Sequence, residues 1–143
     1  MSKISIVYWS QTGNTQAMAE AIGKGILAEG KEAEVVSVSS VSVTDLKEDA
    51  IFALGCPAMG DEVLEEMEMD PFICEVEKFA AGKKIALFGS YGWGDGQWMR
   101  DWVERMNNAG ASMVTEEGLI CQEAPDDAML EECTKLGAQL ARL

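Results

Sequence analysis

The chain alternates apolar runs with stretches of helical periodicity along its whole length, and this alternation limits the folds open to it. Strand-like runs are predicted at residues 3–9, 34–38, 50–56, 83–90 and 113–121. Apolar residues at helical spacing predict helices at about residues 14–29, 71–80, 97–108 and 126–143. Because strands and helices alternate at this spacing, right-handed βαβ crossovers follow. We therefore predict an α/β fold in which residues 1–143 form a single domain, with a doubly wound, five-stranded parallel sheet and helices on both faces.

Residues inside the predicted helices indicate how those helices pack. Gly23 and Gly25 cost helix stability relative to alanine, so we expect them to permit close packing of the first helix against the sheet. Trp98 and Trp102 recur at helical spacing and are predicted to lie in the core.

The charge balance narrows the possible partners. Eleven basic residues stand against 25 acidic ones, which gives a formal net charge of −14. This excess of negative charge argues against nucleic acid or an anionic membrane surface as a partner, and a basic protein surface is the natural complement. The N-terminus carries only Lys3 before a strand-like run, so we predict neither a secretory signal nor a membrane span and expect a cytoplasmic location.

Cysteine and histidine usage limits the chemistry. The four cysteines, at positions 56, 74, 121 and 133, show no metal-ligand spacing, and the chain has no histidine. The usual proton-transfer side chain near neutral pH is therefore missing. Cys56 has no basic residue near it in sequence to lower its pKa, so we do not expect a reactive thiol. Any chemistry is expected to come from a bound cofactor.

The polar loop at residues 10–15 separates the first strand from the first helix. Its hydroxyls and the free N–H groups of the first helical turn can form a nest for a phosphate. Gly13 can take a positive φ, and Asn14 or Thr15 can cap the helix. No lysine or arginine lies between Lys3 and Lys24, so neutral dipoles alone would hold the anion. An ordinary capped helix start is the alternative.

Two further loops follow the third and fourth strands. Residues 56–62 offer Met59 as a soft apolar surface and Gly60 as a backbone pivot, although an ordinary turn with Asp61 as a helix cap is also open. Trp93 stands between glycines in residues 91–96, so it should be prominent and could cover a flat ligand, unless it folds back onto the domain. In a parallel sheet all three loops would meet at one crevice.

Three motifs together resemble the short-chain flavodoxins of anaerobic bacteria, and the similarity covers essentially the whole chain. They are the segments at residues 8–15, 55–62 and 87–95. The resemblance implies the strand order 2-1-3-4-5 with flavin mononucleotide (FMN) at the switch point, a geometry taken from flavodoxin itself as the known example. Gln11 stands where close relatives often have glycine, and Pro57 replaces a hydroxyl residue of some members.

The resemblance also assigns roles to residues. The phosphate would be held by residues 10–15 with Ser90 nearby, and the isoalloxazine would lie between Met59 and Trp93. Backbone groups of residues 60, 61 and 92–94 would line its polar edge, and Glu62 would accept from its N3–H. The full set of cofactor-binding residues implied is Ser10, Gln11, Thr12, Gly13, Asn14, Thr15, Pro57, Ala58, Met59, Gly60, Asp61, Glu62, Ser90, Tyr91, Gly92, Trp93, Gly94 and Asp95.

The implied function is that of a monomeric electron-transfer protein rather than an enzyme. Non-covalently bound FMN would carry one electron at a time at low potential, between its semiquinone and hydroquinone, to redox partner proteins with basic docking surfaces. Residues 61–77 and 116–132 contain acidic residues and no basic ones, and both runs adjoin the ligand end of the sheet. Their negative field would disfavour the anionic hydroquinone.

Other classes of protein fit less well. A flavin enzyme such as a quinone reductase needs a substrate cavity, usually built by longer loops or a dimer interface, and no such insertion is evident. A receiver domain needs an acidic cluster after the first strand, where this chain has Tyr8 and Trp9. A low-molecular-weight phosphatase needs Cys-x5-Arg, and Glu62 stands in place of the arginine after Cys56.

Overall fold

The computed structural model describes residues 3–143 and contains one sheet with helices on both sides. The strands are β1 (Lys3–Tyr8), β2 (Glu32–Ser37), β3 (Ile51–Gly55), β4 (Lys84–Tyr91), β5 (Ser112–Met113) and β6 (Leu119–Gln122). The helices are α1 (Asn14–Ala28), α2 (Met69–Glu77), α3 (Gln97–Asn108) and α4 (Asp127–Ala141). Two short 3-10 turns, Val38–Ser40 and Val43–Leu46, connect β2 to β3.

The sheet is parallel throughout and has the predicted order β2-β1-β3-β4-β5. Its central ladder places Tyr8 opposite Gly55, and Gly55 opposite Phe88. The carboxyl ends of β1, β3 and β4 therefore lie side by side at one edge. The predicted doubly wound α/β fold is confirmed.

The fifth strand differs from the prediction of one continuous run over residues 113–121. It consists of β5, which pairs with the start of β4, and β6, which pairs with its end. The polar run between them leaves the ladder, and the Thr115 hydroxyl donates to the backbone carbonyl of Glu117 there. Gly118 in the same segment packs so closely on the Met99 side chain that a Cβ would overlap it. Local hydrogen bonding and this contact replace strand pairing across the gap.

Two apolar cores flank the sheet because successive strand residues point to opposite faces. In β3, Phe52 and Leu54 pack toward α2 and α3, whereas Ala53 packs toward α1 and α4. Trp98 and Trp102 of α3 are each 1% exposed, as predicted for core residues.

Close contact between α1 and α4 explains one of the two helical glycines. Gly23 packs against Val35 of β2, as expected for contact with the sheet. For Gly25 the expectation is wrong, because a Cβ there would meet the backbone of Thr134 in α4. Gly137 of α4 has the reciprocal contact with the carbonyl of Ile22. Missing side chains on both helices thus let their backbones touch.

The segment between β3 and α2 is organised by a buried carboxylate. Glu65 is only 6% exposed, and its side chain accepts hydrogen bonds from the N–H groups of Met67 (2.9 Å), Glu68 (2.7 Å) and Met69 (2.9 Å). Burial by itself raises the pKa of this carboxyl, but the three donors outweigh it, so the pKa lies below its ordinary value. The ionised side chain closes this loop and satisfies the first amide of α2.

We expect the Glu65→Gln variant to be less stable than the wild type at neutral pH by about 2 kcal/mol, because a neutral amide accepts these bonds more weakly. Folding lowers the pKa of Glu65, so its stabilising contribution is complete above the ordinary glutamate pKa of about 4.3. The contribution is lost as the pH falls through the lower pKa of the folded state. Urea unfolding at several pH values should show the two proteins converging in acid.

Glu66→Gln is the matched control, since Glu66 is the exposed neighbour in the same loop. It should change the free energy of unfolding little at any pH. A deficit of Glu65→Gln that did not depend on pH would contradict the assignment.

Candidate cofactor site

Three loops leave the sheet at the edge where β1, β3 and β4 end, and they enclose a crevice of about 190 Å³. The crevice is lined by Ser10, Gln11, Thr12, Asn14, Thr15, Pro57, Ala58, Met59, Ser90, Tyr91, Gly92 and Glu123. The remaining predicted site residues lie in the same loops outside this lining: Gly13, Gly60, Asp61, Glu62, Trp93, Gly94 and Asp95. The expected convergence of the three loops is observed.

The loop before α1 is held by Ser10 rather than by the predicted caps. Gly13 occupies the N-cap position with φ +93°, and the Ser10 hydroxyl oxygen accepts from the N–H groups of Gly13 (3.2 Å) and Gln16 (3.3 Å). The expectation that Asn14 or Thr15 caps the helix is therefore wrong. The left-handed turn at Gly13 brings the earlier hydroxyl to the helix end instead.

Thr15 joins the first loop to the end of β4. Its hydroxyl lies 3.0 Å from the Ser90 hydroxyl and accepts from the Ser90 N–H at 3.4 Å. Both residues are buried, at 1% and 5% exposure. This contact fixes the start of α1 against the sheet and leaves two hydroxyls at the wall of the crevice.

The donors in this part of the crevice suit a phosphate ester. Within residues 3–143, the N–H groups of Thr12, Asn14 and Thr15 have no hydrogen-bond acceptor. No lysine or arginine lines the crevice. Unpaired amides at a helix N-terminus bind anions through their dipoles. The residues present therefore fit a phosphate group held without a cation.

The loop after β3 makes a tight turn beside this nest. Met59 and Val63 exchange two backbone hydrogen bonds, of 2.9 and 3.0 Å. Between them, Gly60 has φ +48° and Glu62 has φ +58°. The alternative in which Asp61 caps a helix is wrong, because α2 begins only at Met69. Met59 faces the crevice, and Gly60 lies at the tip of the turn.

Trp93 is exposed by 62%, so the predicted prominent position is confirmed and folding back onto the domain is not observed. Its neighbours anchor the loop. The Tyr91 ring lies 5.5 Å from that of Trp98, and Gln122 donates to the Gly92 carbonyl at 3.4 Å. The carboxylate of Asp95 pairs with Arg100 at 2.8 Å. The loop is thus held at both ends while its indole remains free.

Glu62 connects the turn to α3. Its Oε1 accepts from the N–H groups of Gly96 and Gln97, each at 3.2 Å. These amides form the start of α3, where a negative charge is favoured. In the part of the chain that the structure describes, Oε2 accepts no hydrogen bond. One carboxylate oxygen therefore stays available to a further donor.

Cys56 has a structural role at this edge. Burial raises the pKa of its thiol to about 12, so the nucleophilic thiolate is disfavoured, in agreement with the sequence analysis. Its backbone carbonyl accepts from the Trp98 indole N–H at 3.1 Å. The absence of a side chain at Gly89 lets the same carbonyl approach β4.

Sequence reasoning missed Glu123, which lines the crevice. It follows β6, whose last residue Gln122 pairs with Tyr91 at the end of β4. The Glu123 N–H donates to the Tyr91 carbonyl at 2.7 Å. The predicted fifth strand was the available signal. It ends at residue 121 in a parallel sheet, so the residues that follow it must emerge at the same edge as the other loops. Glu65 was missed as well, since nothing in its local sequence sets it apart from neighbouring acids.

None of the helices formed by residues 3–143 is both long enough and apolar enough to span a bilayer.

Comparison with known proteins agrees with this geometry. The flavodoxin family profile matches residues 6–137. The flavodoxin of Clostridium beijerinckii is 53% identical over 98% of this chain and 100% of its own length. That of Megasphaera elsdenii is 42% identical over 97% of this chain and 98% of its own. The solution structure of two-electron reduced Megasphaera elsdenii flavodoxin superposes with a TM-score of 0.87, covering 98% of this chain and 99% of that one. The chain therefore belongs to the flavodoxin family, whose members bind FMN and carry electrons at low potential rather than act as enzymes.

Proposed function

We propose that the crevice holds FMN with its phosphate in the loop at residues 10–15 and its ring between Met59 and Trp93. The assignment rests on one observation. Unpaired amides and hydroxyls line the crevice without any basic side chain, and the loop on its other side carries the exposed indole of Trp93. Ser90 supports the phosphate end through Thr15. Pro57, Ala58 and Tyr91 form the walls between the two ends.

The polar edge of the ring is assigned to backbone groups and one carboxylate. Backbone groups of residues 60, 61 and 92–94 lie in the two loops that border the crevice. The Oε2 atom of Glu62 is the acceptor available to the ring N3–H. Asp95 lies at the outer rim, where its carboxylate pairs with Arg100.

Bound FMN supplies the capacity to take up and release electrons one at a time. The surrounding residues set how readily this happens. Glu123 lines the crevice, and Asp61 and Glu62 lie in the loop that follows β3 at the same edge; each carboxylate repels added negative charge. For a one-electron couple, about 1.4 kcal/mol corresponds to about 59 mV, so a few kcal/mol of repulsion lowers a potential by on the order of 100 mV.

Binding of FMN should depend on the phosphate nest. We expect the cofactor-free protein to bind FMN with a 1:1 end point and at least about 100-fold more tightly than riboflavin, which lacks the phosphate. The Thr15→Val variant should lose about tenfold in affinity for FMN and little for riboflavin, because it removes a hydroxyl from the phosphate end only. Fluorescence titration measures both affinities.

Thr44→Val is the control for this substitution, because Thr44 is an exposed threonine in the second 3-10 turn and is not part of the crevice lining. It should bind both flavins like the wild type. Equal affinities of the wild type for FMN and riboflavin would refute the phosphate assignment.

Gly60 is proposed to act as a backbone pivot. It has φ +48°, and no other group lies within 4 Å of the position that a Cβ would occupy. Because glycine has no Cβ, its backbone can adopt the conformations in which the carbonyl between Gly60 and Asp61 points toward or away from the crevice. A β-branched residue would resist the left-handed conformation.

We expect Gly60→Thr to bring the two one-electron midpoint potentials of the bound cofactor closer together by about 60 mV or more, since one backbone conformation becomes costly. Spectroelectrochemical titration measures the separation. Gly60→Asn is the matched variant, because asparagine tolerates positive φ and should retain most of the wild-type separation. A wild-type separation in Gly60→Thr would disprove the pivot.

The partners are proposed to be redox proteins with basic docking surfaces, as the distribution of charge supports. Acidic residues follow the strands at the crevice edge, whereas Lys3, Lys31, Lys47 and Lys84 lie at or before the opposite strand ends. The crevice side is therefore the negative end of the molecule. Electrons exchanged through an exposed ring edge require no second subunit, and we propose that the protein acts as a monomer.

A cytoplasmic location is proposed on the state of the thiols. All four cysteines are free, and one of them, Cys74, is exposed. Free thiols of this kind persist in reducing compartments.

We expect the second-order rate of electron transfer from the reduced protein to a redox protein with a basic surface to fall by on the order of tenfold as ionic strength rises from about 0.01 M to about 0.3 M. Screening of the attraction between the two surfaces is the cause. Stopped-flow kinetics measures the rate, and an uncharged small-molecule oxidant is the control. A rate to the basic protein that did not change with salt would contradict electrostatic docking.

A further inference from the structure

Met67 is the most exposed large apolar side chain among residues 3–143, at 84% exposure. The other methionines in this range are shielded from solvent to different degrees. Met18, Met69 and Met106 are fully buried, Met99 is 3% exposed, and Met59, Met113 and Met129 are partly buried. A thioether is oxidised only where an oxidant can reach its sulfur. Accessibility therefore sets Met67 apart from the other methionines.

The turn built on the Glu65 carboxylate fixes this exposure. The carboxylate accepts from the N–H groups of Met67 and Met69, both at 2.9 Å. The side chain of Met69 enters the core, whereas that of Met67 faces solvent. Folding thus separates two methionines that lie only two residues apart in the sequence.

This turn lies at the same edge of the sheet as the proposed cofactor site. The Glu68 carboxylate accepts from the Trp9 indole N–H at 3.3 Å, and Trp9 directly follows β1. The Glu65 N–H donates to the Cys56 sulfur at 3.4 Å, and Cys56 directly follows β3. Met67 is therefore at the edge where the proposed cofactor exchanges electrons.

We propose that Met67 is a modification site whose oxidant is hydrogen peroxide, and that its oxidation leaves the core and the crevice intact. The sulfur attacks one peroxide oxygen, so that an S–O bond forms and the O–O bond breaks. Two electrons pass from the sulfur to the peroxide, and the second oxygen leaves with both protons as water. The product is methionine sulfoxide, which methionine sulfoxide reductases convert back to methionine.

The surrounding charge and the proposed function both favour peroxide as the oxidant. Residues 61–77 contain acidic residues and no basic ones, so their field repels anionic oxidants and does not act on a neutral one. Dioxygen that takes two electrons and two protons from a reduced carrier becomes hydrogen peroxide. Only this source of the oxidant rests on the proposed function, because peroxide from elsewhere reacts with Met67 in the same way.

The test adds hydrogen peroxide to the purified protein, with and without FMN, and follows each methionine by peptide mass spectrometry. Met67 should be oxidised at least about tenfold faster than any other methionine of residues 3–143. In urea the rates should become similar, because burial causes the difference. Met67→Leu should lack the fast uptake of one oxygen atom. Met129→Leu, at a partly buried position, is the matched control and should retain it.

The oxidised protein provides a second readout. Protein with sulfoxide at Met67 should keep the wild-type urea midpoint and bind FMN within about twofold of the wild-type affinity, because the modified side chain is in solvent. Oxidation of Met59 as fast as that of Met67, or a selectivity that persisted in urea, would overturn the inference. Loss of FMN affinity on oxidation of Met67 alone would also overturn it.

The source of the oxidant is tested separately. Repeated reduction of the FMN-loaded protein and reoxidation in air should oxidise Met67 without added peroxide, and catalase should prevent this. An unmodified Met67 after such cycles would overturn the carrier as the source. Failure of the wild type to bind FMN would overturn the proposed function alone, because added peroxide supplies the oxidant in the first experiment.

Discussion

The hydrogen-bonded ladder that places β3 between β1 and β4 is the interaction on which the site depends. It brings Tyr8, Gly55 and Phe88 level with one another, so the three following loops start from the same edge. Glycines at or next to this level of the ladder allow the strands and their loops to approach closely. The Phe88 ring occupies the space that a side chain at Gly55 would need, and Gly89 allows the Cys56 carbonyl to approach. Bulkier residues there would separate loops that must share one ligand.

Much of this architecture can be predicted from the sequence, because the signals are local. Apolar runs identify the strands, and the glycine-bearing polar segments that follow them identify the loops of the site. The parts that escape prediction depend on partners distant in the chain. The break in the fifth strand involves Met99, the contact of Gly25 lies in α4, and Glu123 enters the crevice only through its bond to Tyr91. Ser10 displaces the expected caps because Gly13 turns the chain left-handed.

The electrostatic character of the proposed site combines two requirements of a low-potential flavin carrier. A lysine in the loop at residues 10–15 would strengthen binding of the phosphate. It would also stabilise every electron added to the ring, and so raise the potentials. Amide and hydroxyl dipoles avoid this conflict because they act at short range on the phosphate. No lysine or arginine lines the crevice, so no cation in the lining cancels the field of the Glu123 carboxylate at the proposed position of the ring.

The backbone contact between α1 and α4 supports the loop at residues 10–15 from a distance. Gly25 and Gly137 let the two helices touch near the far end of α1, eleven residues beyond Asn14. At about 1.5 Å per residue, that contact lies some 16 Å from the amides that face the crevice. Side chains at these two glycines would push α1 away from α4, and we expect the displacement to reach the loop at residues 10–15 at the other end of α1. We therefore expect cofactor affinity to be sensitive to substitutions at this buried helix interface, remote from the proposed flavin site.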